Sequence, residues 1–178
     1  MNKRIFIAIN LPSEARKEIY ERISKKIDKE KCKVVGEKNL HITLRFLGYL
    51  GEEALEELKE KMKALSKEEG FRGRITGVGE FNGRIVWIGM EEGKEKMNEL
   101  SNKLSEVIGV GDERFHPHVT LARVKKMMYE EVKELRKELN ELNYSREIEV
   151  KSVDLMESVL ERNGPKYLLL QSFPLKFL

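Results

Sequence analysis

Apolar residues recur along this chain with two periods, and the switches between them divide it into strands and helices. Residues 4–10 (RIFIAIN) read as an apolar strand closed by Leu11-Pro12, with Ser13 placed to cap a helix that runs to about Asp28. In that helix Ala15, Ile19, Ile23 and Ile27 stand four apart and make one buried stripe. Residues 33–35 predict a short strand before Gly36, and a longer strand starts at His41 and ends at Gly48. Leu55, Leu58, Met62 and Leu65 mark a second amphipathic helix, ended by Gly70. Residues 71–81 are extended and glycine-rich, and Asn82-Gly83 predicts a hairpin turn into residues 84–90. Met97, Leu100, Leu104 and Val107 give a helix over 94–108, and residues 129–142 give another. Residues 146–156 read as one strand, Asn163-Gly164-Pro165 as a turn, and residues 167–173 as a final apolar strand.

The pattern restarts half-way. RIVWIG, beginning at Arg84, repeats the register of RIFIAI, beginning at Arg4, and each is followed by a helix and a strand that opens on histidine. HITLRFLG, from His41, is echoed by HPHVTLAR, in which His118 starts the matching tetrapeptide. From Arg4 to His41 is 37 positions and from Arg84 to His118 is 34, an internal duplication too long in period for a solenoid. With 3 histidines and three threonines in 178 residues, random placement would give about 0.05 His-x-Thr pairs, and there are two. The alternation His-Ile-Thr-Leu and His-Val-Thr-Leu is that of a strand with one face in a core, so each histidine shares the other face with its threonine, roughly 7 Å along the strand. The expected architecture is α+β: one domain over residues 1–178, bilobal and pseudo-symmetric, with repeats beginning near 4 and near 84 and two antiparallel sheets lining a central cleft, helices outside.

Composition adds limits. Charged residues make up 37% of the chain, well above the roughly 25% usual in soluble proteins, and they are mostly Lys and Glu interleaved on helices. This describes an ion-paired surface of the kind common in proteins from hot environments, and no function. A net charge of +3 would suit an anionic ligand but is too small to imply one. The single Cys32 can form no internal disulfide, and there is no apolar run of membrane-spanning length and no signal-peptide pattern. A cytoplasmic monomer without membrane contact is expected.

Two imidazoles and two hydroxyls on one cleft suit acid–base displacement at phosphorus. A neutral His removes a proton from the attacking oxygen, a protonated one supplies a proton to the leaving oxygen, and Thr43 and Thr120 hydrogen-bond the non-bridging oxygens. Histidine fits because both of its forms are populated near neutral pH. No cofactor or metal is required. A single His-x-Thr is ordinarily structural; the duplication is what favours chemistry. His116 and His118 could form a metal-binding His-x-His, but no carboxylate stands at ligand spacing, and His116 reads as a supporting loop residue. Arg123 stands five after His118, on the opposite face under strict alternation, and reaches the cleft only if the strand bulges. Its equivalent, Phe46, is either core or a wall against a nucleobase, whereas Arg45, four after His41, shares the His/Thr face and is a second cationic candidate.

HITLRFLG and FHPHVTLARV, together with the opening RIFIAI strand, resemble the 2H phosphoesterases, and within them the RNA 2′,3′-cyclic phosphodiesterases also called 2′-5′ RNA ligases. The resemblance covers the whole chain. It implies a bilobal pseudo-symmetric fold and metal-independent hydrolysis of RNA 2′,3′-cyclic phosphate ends to 2′-phosphates. It further implies His41 as proton donor to the 3′ leaving oxygen, His118 as the base that activates water, Thr43 and Thr120 as phosphate-holding hydroxyls, and Arg123 as a phosphate-contacting arginine. Two other readings stay open: reversible 2′-5′ joining of tRNA halves, and a non-catalytic module that binds RNA ends or nucleotides. The intact His/Thr quartet argues against the second, because binding alone needs no matched acid and base.

Overall fold

The computed structural model describes residues 1–177. Its strands are β1 (Lys3–Asn10), β2 (Cys32–Val34), β3 (His41–Leu50), β4 (Phe71–Phe81), β5 (Ile85–Met90), β6 (His118–Val124), β7 (Ser145–Val150), β8 (Ser152–Glu161) and β9 (Gly164–Pro174). The α-helices are α1 (Ser13–Arg22), α2 (Glu52–Met62), α3 (Lys94–Ile108) and α4 (Tyr129–Asn140). The strands form one antiparallel sheet in the order β7-β4-β5-β6-β3-β1-β8-β9, with β2 paired along β6. The two expected sheets are thus the two halves of a continuous one. They meet where β3 and β6 touch through a single residue pair, Ile42 with Val119.

Duplication is plain in the pairing. β1 flanks β3 in one half as β5 flanks β6 in the other, and each ladder carries a bulge at the same place. Ile7 pairs with Arg45 and Ala8 with Thr43, skipping Leu44; Val86 pairs with Ala122 and Trp87 with Thr120, skipping Leu121. A bulge places two consecutive residues on one side of the strand. Leu44 and Arg45 are accordingly both buried, as are Leu121 and Ala122, and the residues five after each histidine return to the histidine's face. This reverses the expectation for Arg45. Instead of sharing the His/Thr face it is 3% exposed on the core side. There its guanidinium donates to Val110 O (2.9 Å), Leu44 O (2.6 Å), Ser101 O (2.9 Å) and Ser105 Oγ (2.7 Å), clamping α3 beneath β3 of the other half.

The helices cover the convex side. Ile5, Ile7 and Ile9 of β1, Val86 and Ile88 of β5, and the stripes Ala15/Ile19, Leu55/Leu58/Met62 and Met97/Leu100/Leu104 all enter one apolar cluster. Each fully buried Ile or Leu there contributes about 1.5–3 kcal/mol. As α3 crosses to the first half, α1 reaches the second, where Glu18 accepts from Arg146 of β7 at 3.1 Å.

Several boundaries differ from the sequence expectation. α1 ends at Arg22 and passes into a 3₁₀ turn at Ser24–Lys26, and Pro12 holds its N-cap position, with Ser13 already helical. A 3₁₀ turn at Lys63–Lys67 extends α2. Glu161 pairs with Gly164, so the last hairpin turns at Arg162-Asn163, one residue early. Residues 146–156 are two strands in place of one: β7 pairs with β4 in one half and β8 with β1 in the other, with the hand-over at Lys151. By contrast the Asn82-Gly83 turn is found as expected, with left-handed φ of 52° and 69°, in a hairpin whose first pair, Phe81 with Ile85, encloses three residues.

Candidate active site

The concave face opposite the helices holds the cleft. Ile42 and Val119 point into the core at the crossing of β3 and β6, so the residues on either side of each point the other way. Because the strands are antiparallel, this crossing sets His41 across from Thr120 and Thr43 across from His118. Away from it the strands diverge, and the gap is a cleft of about 110 Å³ lined by Phe6, Val35, Asn39, His41, Thr43, Phe46, His118, Thr120, Arg123 and Tyr167. That is the room of roughly four waters, or one phosphate-sized group with an attacking water. Every candidate from the paired motifs except Arg45 lies here. Phe46 is 55% exposed on the rim and not in the core, and Arg123 reaches the cleft because of the β6 bulge.

Each imidazole is held in the same way. His41 Nδ1 lies 2.7 Å from Asn39 O, and His118 Nδ1 lies 2.6 Å from His116 O. A carbonyl only accepts, so Nδ1 carries the proton in both rings and the neutral form leaves the Nε2 lone pair to the cleft. His41 Nε2 is 2.8 Å from Thr43 Oγ1, which donates to it when the ring is neutral and accepts from it when the ring is charged. Aromatic rings wall both histidines: Phe6 and Tyr167 have centroids 5.2 Å from His41, and Phe81 and Trp87 have centroids 5.0 and 6.0 Å from His118. Trp87 lies flat on Gly79, its partner across the ladder; a Cβ at that glycine would sit inside the indole.

These walls explain the electrostatics. Burial pulls His41 below its ordinary value of 6.5, helped by the charge of His118 and partly offset by the Asn39 carbonyl. His118 is likewise lowered by burial, against the His116 carbonyl. The His116 ring is lowered by burial, then by Lys94 and His118, and its Nδ1 is buried without a partner among the described residues. Its main-chain carbonyl supports His118, in keeping with a supporting loop residue. No group of three or more His, Cys, Asp or Glu among the described residues is arranged to hold a metal ion.

Sequence reasoning missed Phe6, Val35, Asn39 and Tyr167. Asn39 had a signal: it stands two before His41 as His116 stands two before His118, so the repeat extends upstream to the position whose carbonyl holds each ring. Since the backbone does the work, the residue type there is free and the match is invisible by identity. Tyr167 comes from β9, far along the chain, and nothing local marks it.

Comparison with known proteins follows the same lines. Residues 11–161 match the family model of the 2′-5′ RNA ligase superfamily. An RNA 2′,3′-cyclic phosphodiesterase of Aquifex aeolicus is 32% identical over 173 residues, covering 90% of this chain and 92% of its own. The protein of that name from Archaeoglobus fulgidus is 32% identical over 177 residues, covering 96% and 99%. The crystal structure of Escherichia coli LigT complexed with 3′-AMP superposes with a TM-score of 0.79 at 26% identity, covering 98% and 99% of the two chains. No helix among the described residues is long and apolar enough to cross a membrane. Duplicated His-x-Thr strands, matching bulges and these relatives together make the chain a member of the 2′-5′ RNA ligase superfamily, the 2H phosphoesterases.

Proposed function

We propose that the protein hydrolyses the 2′,3′-cyclic phosphate end of RNA to a 2′-phosphomonoester by two-histidine acid–base catalysis. The observation that carries this reading is the pair of imidazoles on one phosphate-sized cleft, each with Nδ1 tied to a carbonyl and Nε2 turned to the cleft, where His41 Nε2 also meets Thr43 Oγ1. His118 Nε2 takes a proton from water as its oxygen attacks phosphorus; the P–O3′ bond breaks, and His41 Nε2–H protonates the leaving 3′ oxygen. Thr43 and Thr120 donate to the non-bridging oxygens, Arg123 stabilises the charge that grows on them, and Phe46 offers a ring to the terminal base. Which histidine donates is taken from the motif resemblance, since the crossing of β3 and β6 is nearly symmetric. Metal-stripped protein is expected to convert an oligoribonucleotide ending in a 2′,3′-cyclic phosphate to the 2′-phosphate alone. Activity abolished by chelation and restored by zinc or manganese, or a 3′-phosphate product, overturns the reading.

The depressed histidines set the pH dependence. The reactive form has one proton on the pair, and both groups lose their protons below 6.5 in the free enzyme. The bell in kcat/KM should therefore peak on the acid side of 6.5. A bound phosphate anion raises both groups, so the kcat profile lies at higher pH than that of kcat/KM. A single rising limb, or a kcat/KM maximum in alkaline solution, contradicts this.

Arg123 is exposed, with no carboxylate within 4 Å among the described residues, so its removal has little effect on the fold. Arg123→Ala should slow turnover roughly 10²-fold. Arg123→Lys keeps the charge, loses the fork and recovers part of it. Turnover of the two variants, with melting shifts worth no more than about 1 kcal/mol, checks this.

A further inference from the structure

Beside the cleft, cations face each other across a ladder. Lys33 of β2 pairs directly with Arg123 of β6, so the two share the cleft face. Past the end of β2 the chain turns, and Lys31 O accepts from both Lys125 N at 2.8 Å and Lys126 N at 3.0 Å, which sets Lys31 and Lys125 beside one another just beyond the ladder. A second pair of cations thus follows the first, leading away from the cleft. All four side chains are exposed. Lys31 has Glu131 at 3.0 Å, whereas Lys33, Arg123 and Lys125 have no carboxylate within 4 Å among the described residues.

Like charges directly opposite on a sheet destabilise it, so this arrangement opposes folding unless an anion lies on it. The opposite rim is built differently. There Phe46 holds the place equivalent to Arg123, Arg4 lies over the Phe46 ring at 5.1 Å, and Tyr49 is exposed beyond it. The β2–β6 side therefore offers a polyanion two pairs of cations, against an Arg4 that lies on an aromatic ring at the other rim. We infer that the β2–β6 ladder carries the phosphates immediately 5′ of the cyclic end, which makes a polynucleotide the preferred substrate over a cyclic mononucleotide. This rests on the hydrolase reading above and deepens it.

Hydrolysis of a 2′,3′-cyclic mononucleotide tests the hydrolase reading by itself, because that substrate has no upstream phosphate. For the inference, wild-type protein is given cyclic-ended RNAs of one, two, three and five nucleotides. kcat/KM should rise over the first two added nucleotides and then level off; a flat series overturns the inference. In the double variant Lys33→Gln with Lys125→Gln, KM for the trinucleotide should rise on the order of tenfold, and the slope of log kcat/KM against log salt should become shallower by about 1.4. The cyclic mononucleotide should react as before. Lys61→Gln, which removes an exposed charge from α2, should change neither substrate. Equal effects on both substrates, no effect on the trinucleotide, or the same loss in Lys61→Gln each overturns the assignment.

Discussion

Alanine in place of either cleft histidine should lower turnover of a 2′,3′-cyclic phosphate by about 10²–10⁴, with melting moved by only a few degrees. The small thermal effect follows from what is lost: one Nδ1–H···O=C bond in each variant and, in His41→Ala, the bond to Thr43 Oγ1 as well, each worth about 1 kcal/mol, from rings that burial has already made reluctant to charge. The two variants should part company on a substrate whose 3′ bridging oxygen is replaced by sulfur, a leaving atom that needs no proton. His41→Ala should recover most of its rate there, because the acid is no longer needed. His118→Ala should stay slow, because water still needs its base. Rescue of both or of neither removes the division of labour, and wild-type rates in either variant on the natural substrate remove two-histidine catalysis altogether.

Arg45 should give the opposite signature. Arg45→Ala strips a donor from Val110 O and from Ser105 Oγ in a nearly dry site, while Ser101 O keeps the Ser105 hydroxyl at 3.0 Å, and leaves a cavity between β3 and α3. Unpaired buried acceptors cost about 1–3 kcal/mol each, and losing a buried, fully bonded cation costs about 3–5 kcal/mol. For a chain of this size that lowers the melting temperature by roughly 6–20 °C. Below that melting point kcat should match wild type, since the guanidinium never enters the cleft. A variant that melts normally but turns over slowly would return Arg45 to the site. In the second half the equivalent bulge position is Ala122, so the bulge itself needs no arginine; α3 does.

Arg45 and Arg123 also show how far periodicity carries. The paired motifs, the α3 boundaries and the Asn82-Gly83 hairpin were all legible, because period, cap and turn chemistry act over a few residues. A bulge is settled by pairing with a partner strand, and nothing in LRF or LAR announces it. The extra residue that the two ladders share, Leu44 in one and Leu121 in the other, therefore inverted the faces of both arginines, sending Arg45 inward and Arg123 outward. The hand-over at Lys151 was hidden for a similar reason. REIEVKSVDLM contains no Gly, Pro or Asn, and only the two different partners, β4 and β1, reveal two strands. Asn39 and Tyr167 were invisible because one acts through its backbone and the other arrives from the end of the chain.

The crossed helices carry a last consequence. A lone half would have one imidazole, one hydroxyl and a helix whose apolar stripe belongs under the sheet of a second copy. The smallest assembly with a complete cleft would be an isologous homodimer, its twofold axis running through the Ile42–Val119 contact. In such a dimer every substitution appears twice, so a cation beside one histidine forces a cation beside the other. Covalent linkage lifts that constraint. Position five can be Phe46 on one side and Arg123 on the other, and a cleft that symmetry would make indifferent to the direction of its ligand acquires a head and a tail.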